Sequence, residues 1–156
     1  MDRPSQLQQE LKQRRPFRSK KQEAQLGILR TADLLHRRSE ALMAPHGITA
    51  QQYNVLRILR GAEPEGLPTL EIGHRLVEQT PGITRLLDRL EKKQWVKRWR
   101  CPEDRRQVLC RITKTGLALL DRMQADIDKA EEEGMQAFSQ NELQELVSLL
   151  DRVRKA

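Results

Sequence analysis

This sequence predicts a mainly α-helical fold interrupted by one short β-hairpin, and three observations lead there. Aromatic residues make up only 3% of the 156 residues, against 33% charged and 37% apolar. That balance suits helices rich in Leu, Glu, Lys and Arg and disfavours an all-β sandwich. Apolar residues recur at helical spacing through long stretches at both ends, and the period shifts to alternation once, in WVKRWR and QVLCRIT. The length suits one domain with its own core.

The elements follow in order. Residues 1–20 mix Gln, Arg, Lys, Pro4 and Pro16 with few apolar groups, predicting a loose basic arm that serves as a solubilising tail or touches nucleic acid. From Gln22 to Ala44, Ile28, Leu35 and Leu42 recur every seven residues beside Ala32, Ser39 and Met43, the stripe of a long amphipathic helix. Pro45, His46 and Gly47 break it. Thr49 and Gln52 read as a capping box for a helix carrying Tyr53, Leu56 and Leu59 and ending near Gly61. The loop AEPEGLP leads to Thr69, the expected N-cap of a short helix with Leu70, Gly73 and Leu76.

Thr80 followed by Pro81 predicts another helix start, because Thr accepts from first-turn N–H groups and Pro has none to satisfy. Ile83, Leu86, Leu87 and Leu90 fall at i, i+3, i+4 and i+7, leaving Pro81, Thr84, Arg85, Asp88 and Lys92 opposite, with Arg89 flanking. WVKRWR and QVLCRIT form two strands around CPEDRR, whose Pro and Asp favour a turn; Val108, Cys110 and Ile112 alternate with Leu109 and Arg111. Thr113 caps a long helix marked by Leu120, Met123, Ile127 and Ala130. Ser139 and Glu142 form a capping box for a last helix with Leu143, Leu146, Val147, Leu150 and Val153.

Charge is unevenly spread along this plan. Residues 85–114 hold eleven Lys or Arg against four Asp or Glu, and residues 1–21 hold seven against two. The remainder carries eleven against sixteen, so the formal net charge of +7 is concentrated in two places. Local positive charge points to a polyanion. Two short helices, the second with an exposed polar face, followed by a basic hairpin, make a winged helix-turn-helix. In that reading the N-terminal turn around Thr80, Pro81 and Gly82 offers N–H groups to a phosphate, and small side chains permit close approach. Thr84, Arg85 and Arg89 aim at bases. Asp88 either accepts from cytosine or, the preferred role, holds Arg85 or Arg89. Arg105 and Arg106 reach a minor groove from the hairpin tip, and Asp104 orients one of them.

Other chemistry is weaker. His36, His46 and His74 share no i, i+3 or i+4 spacing, and no cysteine lies close to them, so no metal is expected. Cys101 stands near several arginines that favour a thiolate, which leaves a redox role to weigh against a structural one; Cys110 belongs to an apolar strand face and should be inert. Trp95 and Trp99 share a strand face, where packing is preferred over base stacking. There is no glycine-rich phosphate loop, nucleophile elbow or metal-ligand cluster, so neither enzyme activity nor a cofactor is expected. No apolar run approaches the roughly 20 residues that cross a bilayer, and no apolar signal core opens the chain, so a cytoplasmic protein with no membrane contact is expected.

The stretches TPGITRLLDRLEKKQWVKR, PEDRRQVLCRIT and KTGLALL resemble the MarR family of winged helix-turn-helix transcriptional regulators. The likeness runs from about Ala24 to the C-terminus, and its most specific element is the wing pair Asp104 and Arg106. It implies a homodimer on a pseudo-palindromic double-stranded operator, acting as a repressor and released by a small, often aromatic, ligand or an oxidant. It makes the helix from Thr80 the recognition helix, Arg106 the wing arginine in the minor groove and Asp104 its carboxylate partner. Gln94 departs from the pattern, standing where the family commonly has a glycine to end that helix; an αL glutamine is strained, which leaves room for a different turn there.

The expected organisation is a basic arm over 1–20 and a single MarR-like domain over 21–156. Its winged-helix part covers about 48–113, and dimerisation helices cover about 21–45 and 114–156. The first helix and the last two carry more aliphatic stripe than so small a core needs, which assigns Ile28, Leu35, Leu143, Leu146, Val147 and Leu150 to dimerisation, a monomer with a thicker core being the alternative. Two-fold symmetry would set the recognition helices roughly 34 to 36 Å apart, or a simple multiple. The alternative is a non-DNA-binding interaction or metabolite-sensing protein that keeps the fold.

Overall fold

The computed structural model describes residues 4–155; residues 1–3, the outer end of the expected arm, and Ala156 lie outside the described residues. The chain forms two compact units, residues 1–50 and residues 51–156.

In the first unit, α1 (Gln6–Glu10) precedes α2 (Lys20–Met43). The expectation of a loose arm over 1–20 is corrected here: QLQQE forms a short helix because its residues are good helix formers and Ser5 Oγ accepts from the Gln8 N–H at 3.3 Å. The helix packs closely, since a side-chain carbon added at Gly27 would lie 3.7 Å from Leu7 Cδ2. Ser19 Oγ accepts from the Gln22 N–H at 3.2 Å and starts α2. A 3-10 turn over Ala44–His46 ends in Gly47 at φ 68°, a left-handed value natural to glycine, and breaks the helix where Pro45 to Gly47 predicts.

α3 (Ala50–Arg60) begins just after Thr49. In the second unit β1 (Leu67–Pro68) leads into α4 (Thr69–Arg75), and α5 (Ile83–Lys92) into β2 (Val96–Arg100) and β3 (Val108–Ile112). α6 (Lys114–Met135) and α7 (Gln140–Lys155) complete it. The three strands lie in the order β1-β3-β2, all antiparallel, with Val96 opposite Ile112, Arg98 opposite Cys110 and Arg100 opposite Val108. Strand β1, not expected from the sequence, is two residues long and puts Pro68 at the sheet edge, where a missing N–H is tolerated.

Helices and sheet enclose one core in this unit. Val55, Leu56, Leu59, Ile72, Leu87, Leu90, Val96, Cys110, Leu119, Leu120 and Met123 are almost completely buried. Among the described residues no buried side-chain polar atom lacks a partner. In α4 the buried residues are Ile72 and the flanking Leu76, whereas Leu70 is 73% exposed. Thr69 is not the N-cap: Pro68 holds that position, and the Thr69 hydroxyl donates to the Val108 carbonyl at 3.2 Å, tying α4 to the hairpin. At α7 the capping box forms, Ser139 N–H and Oγ–H both meeting Glu142 Oε2 at 2.8 Å. The backbone N–H and hydroxyl of Ser139 hold the Glu142 carboxyl below its ordinary value. This cap therefore stabilises at neutral pH and is lost as acid protonates the carboxylate.

The end of α5 is a strained joint. Gln94 takes φ 61°, so the left-handed turn is kept although no glycine stands there, and the Trp95 N–H donates to the Leu90 carbonyl at 3.1 Å to close the helix. Gln94→Gly is expected to raise stability by about 0.5 to 1 kcal/mol, the left-handed strain relieved exceeding the entropy that glycine adds to the unfolded chain. The urea midpoint should rise at unchanged slope.

Candidate nucleic-acid interface

Helix α5 is seated by one face. Leu86, Leu87 and Leu90 are buried and Ile83 is half-buried, so Thr84, Arg85, Asp88 and Arg89 emerge on the exposed side. The helix starts two residues later than a Thr80 cap predicts, at Ile83. Thr80 Oγ1 accepts from the Gly82 N–H at 3.4 Å, two residues on, so Thr80, Pro81 and Gly82 form a turn and Gly82 becomes the N-cap. The Asn54 side chain of α3 supports the loop from below, its Oδ1 accepting from the Val77 N–H at 2.9 Å.

The hairpin tip is organised by Asp104. Its Oδ1 accepts from the backbone N–H of Arg106 at 3.0 Å, and its carbonyl accepts from the Gln107 N–H at 2.9 Å. It thus orients Arg106 through the main chain, and the side chains of Arg105 and Arg106 stay exposed. The Arg105 carbonyl accepts from the Arg100 guanidinium at 3.3 Å, bracing the turn. Lower down the hairpin, a side-chain carbon at Gly66 would meet Trp99 Cη2 at 3.2 Å and the Cys110 carbonyl oxygen at 2.5 Å. Trp99 therefore packs, as the sequence favours, and Gly66, at φ 79°, admits nothing larger. Burial pushes the Cys110 thiol up to about 12, outweighing the positive field of Arg98, so it stays protonated and unreactive. Cys101 lies half-buried where the hairpin loop leaves β2, its N–H donating to the Gln107 carbonyl at 3.0 Å.

Asp88 does not hold Arg85 or Arg89. Its Oδ1 lies 2.5 Å from Nη2 of Arg98, on strand β2. Glu91 completes the clamp, with Oε2 accepting from Arg98 Nη2 at 2.7 Å and Nε at 3.1 Å, and Oε1 accepting from the Arg98 backbone N–H at 3.0 Å. Burial disfavours the charge on Arg98, but the bonds from Glu91 and Asp88 outweigh it and raise the guanidinium above its ordinary value. Arg98 is the functional residue missing from the sequence reading. The signal was there: alternation puts it on the same side of the strand as buried Val96, an odd place for an arginine unless acids await it.

The clamp sorts the arginines into two kinds. Arg98 is neutralised and rigid, whereas Arg85, Arg89, Arg105 and Arg106 make no ion pair among the described residues and face solvent from the helix and the hairpin tip. Such an arrangement, a polar helix face beside a basic prong, can engage a polyanion through several contacts at once.

Comparison with known proteins bears on what that polyanion is. A sequence model described as "MarR family" matches residues 48–108. The homoprotocatechuate degradative operon repressor of Escherichia coli is 31% identical over 106 residues, covering 68% of this chain and 70% of the repressor. The crystal structure of a MarR transcription factor from Planctomyces limnophilus shares 39% identity with a TM-score of 0.67, over 86% of this chain and 98% of that one. A mutant MarR from E. coli, crystallised with operator DNA, shares 28% identity with a TM-score of 0.70, over 81% of this chain and 93% of that one.

Proposed function

The chain belongs to the MarR family, and from that premise we propose that it is a sequence-specific double-stranded-DNA-binding transcriptional regulator, a homodimeric repressor relieved by a small-molecule ligand. The observation that carries this reading is the sorting of the arginines: the one between helix and wing is held by two carboxylates, and the four on the reading side are left for phosphates and bases. Thr84, Arg85 and Arg89 read the major groove; Arg105 and Arg106 enter the minor groove; Thr80, Pro81 and Gly82 lie against the backbone. Asp104 and Asp88 act through other residues, the first by shaping the wing turn and the second by anchoring Arg98. No catalytic role is proposed.

Self-association has its own support. Over its 24 residues α2 buries only Met43, and α7 buries none of its described residues. Leu29, Leu35, Val147 and Val153 are each more than 40% exposed, while Ile28, Leu143, Leu146 and Leu150 are half-buried. Aliphatic stripes left open on helices of this length suit a second copy of the chain. Among the described residues no helix is long and apolar enough to cross a membrane, and we assign the protein to the cytoplasm.

A gel-shift titration against the DNA upstream of its own gene tests the function. A specific complex with two chains per duplex is expected at moderate salt; random binding alone would remove the regulator reading. In the same assay Arg85→Ala should cost roughly 1 to 3 kcal/mol and relax base preference at one position of each half-site. Equal losses on specific and random duplexes would reassign Arg85 to the backbone.

A further inference from the structure

A second concentration of positive charge lies outside the winged helix. The segment from Lys12 to Lys21, KQRRPFRSKK, holds six cations and no acid. Lys20 is engaged by Glu23 at 2.8 Å, and Glu10 accepts from the Gln6 amide. Lys12, Arg14, Arg15, Arg18 and Lys21 are exposed and make no ion pair among the described residues. A run serving only solubility needs no fixed backbone, yet this one is pegged by glutamine amides and carbonyls. The Gln8 amide donates to the Gln13 carbonyl at 3.2 Å, the Gln13 amide donates to the Arg15 carbonyl at 2.8 Å, and Gln22 Oε1 accepts from the Arg18 N–H at 2.9 Å. Lys12 takes φ 50°, turning the chain out of α1. The main chain is thereby held by uncharged partners while the arginine side chains project into solvent.

We propose that residues 12–21 form a second phosphate-gripping element, a basic arm that contacts duplex DNA in addition to the base pairs read by α5. The inference rests on the DNA-binding function proposed above. Duplex DNA is favoured as the occupant because it carries one charge per roughly 1.7 Å of axis, so a short cationic run finds phosphates without exact placement. Tethering to a docked reading head also makes each weak contact intramolecular. The pegged backbone lowers the ordering entropy that a free tail would lose.

The triple substitution Arg14→Ala, Arg15→Ala, Arg18→Ala in the full chain tests this, with the corresponding Arg→Lys triple as control. Expected is a specific complex with unchanged base preference, while the slope of log affinity against log salt falls by about 2 to 3 units per chain. The lysine triple should retain the slope. An unchanged slope in the alanine triple would overturn the arm and leave the regulator standing; absence of any specific complex with the parent chain would remove both. Titration against single-stranded RNA and against phosphatidylglycerol vesicles separates the other polyanions. A loss confined to either, with duplex binding intact, would also overturn the proposal.

Discussion

Gly116→Ala should remove about 3 to 5 kcal/mol of stability through one added methyl. Gly116 sits in the first turn of α6, and a side-chain carbon there would lie 2.4 Å from the Trp95 carbonyl oxygen and 2.7 Å from Ile112 Cγ1. Neither neighbour can retreat cheaply. The Trp95 carbonyl accepts from the Thr113 N–H at 3.0 Å, and the Thr113 hydroxyl donates to the Gln94 carbonyl at 2.7 Å while accepting from the Gly116 N–H at 3.1 Å. Ile112 is buried. Moving α6 aside therefore adds the loss of two or three hydrogen bonds, about 1 kcal/mol each, to an overpacking term of about 1 to 3 kcal/mol. Against a total of about 5 to 15 kcal/mol, that shifts the melting temperature by on the order of 10 °C. Gly134, near the other end of α6, has nothing within 4 Å of the same added carbon. Gly134→Ala should stabilise by about 0.5 to 1 kcal/mol through helix propensity. Thermal or urea denaturation of both variants checks the sign of each; equal effects would show that the joint at Trp95 does not constrain α6.

That joint marks the boundary of what could be read in advance. The seven-residue recurrence of Ile28, Leu35 and Leu42, the stripe of Leu86, Leu87 and Leu90, and the alternation of Val108, Cys110 and Ile112 each need only a local period, and each yields its element in place. Gln94 was identifiable from the family resemblance, because the family commonly has a glycine there to end the helix. Gly116 and Gly66 were not, since what forbids a side chain there is a carbonyl many residues away. Strand β1 was missed for the same reason: two residues become a strand only when Cys110 and Leu109 lie beside them. The start of α5 was misjudged because Thr80 and Gly82 are both credible caps, and the choice depends on whether the threonine hydroxyl turns inward two residues on. At the candidate site, the exposed face of α5 and the hairpin tip follow from amphipathic spacing. Which carboxylate serves which arginine depends on strand β2 folding back onto the helix.

Arg98 supplies the second large expectation. Arg98→Met keeps the stem that packs beside Val96 and removes the guanidinium, leaving Glu91 and Asp88 without their cation. Three side-chain bonds to charged acceptors are lost, but Glu91 and Asp88 are respectively 40% and 55% exposed at the side chain and water partly replaces them. A cost of about 2 to 3 kcal/mol follows, less than for a fully buried pair. The effect on DNA should exceed what stability alone predicts. Two carboxylates near the reading face become uncompensated, and the wing loses its fixed angle to α5, so an affinity loss of at least about tenfold is expected even where the variant is fully folded. The two acids are not equivalent in this geometry. Glu91 accepts three bonds, one from the Arg98 main chain, and Asp88 accepts one. Glu91→Gln should therefore be the more destabilising, and Asp88→Asn should weaken binding to every sequence alike. If Asp88→Asn instead changed the preferred base at one operator position, the aspartate would be reading cytosine, and the clamp would have to stand on Glu91 alone.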